Sequence, residues 1–204
     1  MSIEIINRAL IKIGEGTITS LSQNPYGDLM GLVYEDQRKM LLSSHYWRFA
    51  LKRARLAELD EETGSTLFAY AYALPADYLV LKDFGEFYKM PNVSDAVVAP
   101  DVRYSIEGNR MLCQQPGNIN ITYIADVSDP KLFTPLFKEA LIALIAAEMS
   151  VRIKQGADYK QLFLAEFEKY ITQAQMNNEI VRDMETMPDN SWVTIRDTWR
   201  NEEW

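Results

Sequence analysis

The chain holds one cysteine, Cys113, and one histidine, His45, among 204 residues. A single cysteine excludes an intrachain disulfide, a zinc ribbon and a CxxC redox motif. A single histidine excludes HExxH and any His-rich metal centre. No GxSxG nucleophile elbow occurs. Gly14-Glu15-Gly16 completes neither GxGxxG nor GK[ST], and Glu15 would repel a phosphate, so it reads as a helix C-cap. Basic side chains are scarce, 21 against 29 acidic, giving a net charge of −8. That balance argues against a dedicated nucleic-acid binder, because phosphate backbones select basic surfaces. The apolar run ALIALIAA at 140–147 falls short of the roughly 20 residues a bilayer requires. The start MSIEIINRALIKIG scatters charges where a signal peptide would be apolar. The expected setting is the cytoplasm.

The run at 140–147 sits inside Pro135–Ile153, which reads as a core helix buried on most sides. Thr134 is its candidate N-cap, Pro135 a favoured first residue, and Gly156 its stop. Three more helices follow from period and punctuation. The first covers residues 2–13, with Ser2 as cap and Gly14 as stop. The second covers 25–44, opened by Asn24-Pro25. It carries Leu29, Leu32, Val33, Met40 and Leu41 on one side and Glu35, Asp36, Arg38 and Lys39 mostly on the other. The last covers 159–184 and should lie antiparallel to the core helix. Residues 45–51 change to a period of two, with Trp47, Phe49 and Leu51 inward. Residues 67–126 are strand-like: 68–74, 78–84, a hairpin about Glu107-Gly108-Asn109, and 119–125.

These elements predict an α+β fold. An antiparallel bundle of about four helices, residues 1–60 and 127–187, carries an inserted small antiparallel β-sheet domain at 61–126. An extended tail occupies 188–204. Its Trp192, Trp199 and Trp204 lie in a polar setting that does not bury three indoles. They either fold back on their own subunit or dock on a partner, since tryptophan is enriched at binding hot spots. Ile195 and Arg196 extend that candidate contact surface.

Few side chains invite chemistry. His45 reads as structural, near a helix C-terminus where positive charge is favoured. Cys113 reads as a small buried apolar residue. Lys52, Arg53 and Arg55 form the basic cluster, and the acids at 60–62 make it a solvated or inter-subunit patch. Glu148 falls on the helical wheel among Phe137, Leu141, Leu144 and Val151. A buried carboxylate there would make either a general acid or a structural ion pair with Arg152 one turn on. The ion pair, or an inter-helix hydrogen bond, is the reading taken. No catalytic, cofactor-binding or metal-ligating set is assigned.

The order of segments carries more than any motif. HYWRFALKRARLAEL precedes YAYALPADYLVL, then SIEGNRMLC, then YIADVSDPKLFTPLFKEALIALIAAEMS, then NSWVTIRD. Over nearly the whole chain this order resembles the tail tubular protein A family, the head-to-tail adaptors of short-tailed, podovirus-type phages. The family usually has proline before the tryptophan, where this chain has Tyr46. The resemblance implies a non-enzymatic virion protein of the tail neck, assembled in the host cytoplasm. It implies a homo-oligomeric ring of roughly twelve subunits joined by heterologous interfaces. The portal protein would lie above, the tail nozzle protein and tail fibres below, and double-stranded DNA would pass through the lumen. No membrane partner and no cofactor is implied. The alternative is a tail-associated peptidoglycan hydrolase, which would need Glu148 unpaired in a cleft. Removing residues 191–204 should leave the monomer folded and weaken assembly on the portal.

Overall fold

The computed structural model describes residues 2–61, 63–84, 103–153 and 157–186. Among them the chain forms four α-helices and seven strands, a mixed α+β fold. Helix α1, Ile3–Ile13, buries Ile5, Ile6, Ala9, Leu10 and Ile13. It stops at Gly14, whose φ of 83° permits the left-handed C-cap expected there. Ser2 takes the N-cap position, but its side chain makes no capping hydrogen bond. The loop that follows is clasped by Asn7, whose amide donates to the Ile18 carbonyl and accepts from the Ile18 N–H, both at 2.8 Å.

Helix α2 is Gly27–Ser43, shorter at the start than the predicted 25–44. Asn24 instead builds a turn, with its side-chain oxygen accepting from Tyr26 N–H at 2.8 Å and its carbonyl from Gly27 N–H at 2.9 Å. Gly27 is required by contact. A Cβ there would lie 1.8 Å from the Leu21 carbonyl oxygen. The buried face of α2 is Met30, Tyr34, Arg38, Leu41 and Leu42, whereas Leu32 and Met40 are exposed. The expected sidedness is therefore corrected: Arg38 belongs to the inner face. It is turned inward because the Asp126 carboxylate and the Val127 carbonyl await it there.

The helix ends near residue 45 and the chain makes a 3-10 turn at Arg48–Ala50 before extending. Trp47 is buried and Phe49 packs on the core as expected, but the extended stretch expected at 45–51 is corrected: the 3-10 turn also buries Ala50, which a period of two would turn outward. Strand β1, Leu51–Leu56, and β2, Glu58–Leu59, then enter two different sheets. The β unit thus starts well before residue 61. The charges of Lys52, Arg53 and Arg55 disguised a strand whose outward positions are solvated. The remaining strands are β3 (Tyr70–Ala73), β4 (Tyr78–Phe84), β5 (Tyr104–Glu107), β6 (Arg110–Cys113) and β7 (Ile119–Ala125). One sheet has the order β1-β7-β4 and the other β2-β3-β6-β5, with antiparallel pairing throughout. The β5–β6 hairpin turns at Gly108, φ 63°, as the sequence predicts.

Strand β7 belongs to both cores. Ile119, Ile121 and Tyr123 face a β core with Leu56, Leu81, Tyr72 and Met111. Ile124 joins the helical core beside Leu51 and Val80. Helix α3, Pro135–Ile153, has every residue of 140–147 buried. Helix α4, Ala157–Thr186, runs back along it: Lys160 meets Glu148 at one end and Ala174 lies near Pro135 at the other. Helix α1 is tied to both, through an Arg8–Glu139 ion pair and a Lys12–Glu166 ion pair.

Candidate functional site

The end of α2 organises one wall of a surface groove. The Leu41 carbonyl, in the last turn of the helix, accepts from the Ser44 N–H at 3.3 Å and from Ser44 Oγ and Trp47 Nε1, each at 2.8 Å. These bonds hold the Trp47 indole against the Phe137 ring, with centroids 5.1 Å apart in an edge-on arrangement. Phe49 packs on Phe137 at 4.9 Å and on Phe133 at 5.7 Å. Helix α4 closes this region from the other side. Asn178 Oδ1 accepts from the Arg48 N–H at 3.0 Å, and Asn178 Nδ2 donates to the Tyr46 carbonyl at 3.1 Å. His45 Nε2 lies 3.1 Å from the same amide nitrogen and 3.2 Å from Glu179 Oε1. His45 is therefore a tie between the end of α2 and α4, in keeping with its structural reading.

Between these elements lies an open groove of about 560 Å³. Its walls are Trp47, Phe49, Pro135, Leu136 and Ala174, with Asn177 and Asn178 along one rim. Such a surface holds an apolar group with one polar edge. It offers no nucleophile–base pair. Ser44 Oγ is engaged by the Leu41 carbonyl, and Cys113 is buried in the other core. Burial pushes the Cys113 thiol up, away from the reactive thiolate. Among the described residues no cluster of three His, Cys, Asp or Glu side chains is placed to hold a metal ion. No helix of the described residues is long and apolar enough to cross a membrane.

The basic cluster divides along the pleat of β1. Lys52 Nζ donates to Asp77 Oδ2 at 2.6 Å, and Tyr123 Oη donates to Asp77 Oδ1 at 2.9 Å. Arg53 and Arg55 lie on the opposite, exposed face, in register with Thr122 and Asn120. Only two of the three cations thus form a common outward patch.

Glu148 is not buried. Its side chain is 38% exposed and pairs with Lys160 Nζ of α4 at 3.0 Å, while Arg152 is exposed. The expected buried Glu148–Arg152 charge is corrected: the carboxylate sits at the border of α3's apolar face, where the lysine of the next helix reaches it. The expected link between helices is present, with a different partner. Among the described residues the buried charge is Arg38, which the sequence reading missed. Its guanidinium bonds Asp126, the Val127 carbonyl at 2.7 Å and Glu35 at 2.6 Å. Burial by itself lowers its pKa; the hydrogen bonds to Asp126 and Glu35 outweigh this and leave it raised. The one signal in the sequence was the spacing Met30, Tyr34, Arg38, which repeats every helical turn.

Trp192, Ile195, Arg196, Trp199 and Trp204 lie outside the described residues. No protein-family model matches the chain, and no curated protein matches it.

Proposed function

We propose that the chain is a structural head-to-tail adaptor of a short-tailed phage. In this reading it forms a ring between portal and tail nozzle and passes double-stranded DNA through its lumen. The ordered segments that resemble the tail tubular protein A family motivate it. The observation that carries it furthest is the stem formed by β1 and β7. The chain leaves the helical unit at Leu51 and returns beside it at Ile124, the two residues being register partners. A two-ended subunit results, with a helical end and a sheet end that can each meet a different neighbour. Glu148 adds support, because a carboxylate paired with Lys160 is suited to joining helices and poorly suited to cleaving a glycosidic bond.

The test is a mass measurement on the purified full chain, alone and mixed with a portal protein. The adaptor reading expects a ring-sized species that forms with, or is bound by, the portal. A chain that stays monomeric in both samples and clears peptidoglycan in a zymogram overturns it in favour of the hydrolase.

A further inference from the structure

We propose that the groove between Trp47, Leu136 and Ala174 is the seat of the chain's own C-terminal segment, with Trp192 as the side chain that enters it. This goes beyond the adaptor reading and does not depend on it. The groove is apolar and open, and its wall on α4 is formed by Ala174, Asn177 and Asn178. The same helix ends at Thr186, about 12 Å beyond Asn178 and about 18 Å beyond Ala174 along its axis. The chain then continues for residues 187–204. From Thr186, Trp192 can reach back up to about 20 Å in extended backbone, which covers both distances.

Composition selects Trp192 from the three tail tryptophans. Val193 and Ile195 follow it, giving three apolar side chains within four residues. Trp199 stands beside Arg200, and Trp204 follows Glu202 and Glu203. The groove volume of about 560 Å³ accommodates an indole together with an apolar neighbour. Asn177, exposed on the rim, offers its amide oxygen to the indole N–H, the pairing a half-buried tryptophan needs.

The test uses the full chain in a Cys113→Ala background with Thr134→Cys, exposed on the groove wall, and Ser191→Cys added. Mild oxidation at low protein concentration should give a disulfide at monomer mass. Adding Trp192→Ala should cut its yield about tenfold, the effect of losing an anchoring aromatic. Adding Trp199→Ala should leave it unchanged. A disulfide found only at dimer mass would assign the groove to a neighbouring copy and overturn the proposal. So would no disulfide, or a yield indifferent to Trp192→Ala. Acrylamide quenching of the otherwise unaltered chain provides a second measurement: Trp192→Phe should remove a shielded indole, and removal of an exposed one overturns the proposal.

Discussion

Arg38 of α2 reaches Asp126, which follows β7, and so fastens the helical unit to the sheet through a side chain only 2% exposed. Removing one partner of such a pair strands a buried charge or leaves acceptors without a donor. Arg38→Ala should lower unfolding stability by about 3–5 kcal/mol. Lys39, exposed and 3.9 Å from the same carboxylate, is the control: Lys39→Ala should change stability by about 1 kcal/mol or less. Urea denaturation of both variants checks the contrast.

Gly27 should tolerate no side chain. Its missing Cβ leaves room for the Leu21 carbonyl, so Gly27→Ala must displace backbone and should cost about 1–3 kcal/mol. Gly16, where a Cβ would meet nothing within 4 Å, should accept alanine with little loss. Thermal melts of the two variants measure the difference.

The aromatic cluster at the groove predicts a large packing effect. Phe137 is fully buried among Trp47, Phe49 and Phe133. Phe137→Ala should cost about 3–5 kcal/mol, read by urea denaturation. Glu148→Gln should instead change stability by only about 0.2–1 kcal/mol, because its ion pair with Lys160 is half exposed.

Acid and alkali should act on the sheet through Asp77 and its neighbours. The Lys52 hydrogen bond, with that of Tyr123, holds the Asp77 carboxyl below its usual range against the opposing effect of burial. The stability it confers is therefore full above the unfolded value of about 3.9 and lost as pH falls through the folded value. Asp77→Asn should flatten the acid limb of the urea midpoint plotted against pH.

The alkaline limb runs the other way. Burial pushes Tyr72 and Tyr123 up to about 12. Their protonated phenols favour the folded chain fully below an unfolded value of about 10, and that contribution disappears as pH rises through the folded values. Phenolate absorbance followed with circular dichroism should show these two groups ionising only as the sheet is lost. Tyr123→Phe should remove part of the alkaline loss.

Local pattern carried the elements that punctuate themselves. Pro135–Ile153, Tyr78–Phe84 and Ile119–Ala125 occur in the structure with the boundaries their sequences imply. The misses have two causes. The charges of Lys52, Arg53 and Arg55 point outward as expected and hide a strand that pairing with β7 creates. Arg38 turns inward because its partner Asp126 lies far along the chain, where no local window contains it. Glu148 shows the converse, since a helical wheel draws an apolar face without its edges. The groove was equally invisible, because its walls come from three separate elements, although Trp47 and Phe49 were correctly turned inward.

The paired stem has a mechanical consequence. A pull separating the helical unit from the sheet draws on β1 and β7 from the same end, where Leu51 faces Ile124. The two strands then move together, so the force divides between two covalent backbones and does not slide one past the other. Their hydrogen-bonded ladder is left almost unstressed. Sideways load falls instead on the Arg38–Asp126 fastening and on the packing of Leu51, Val80 and Ile124 against the helical core.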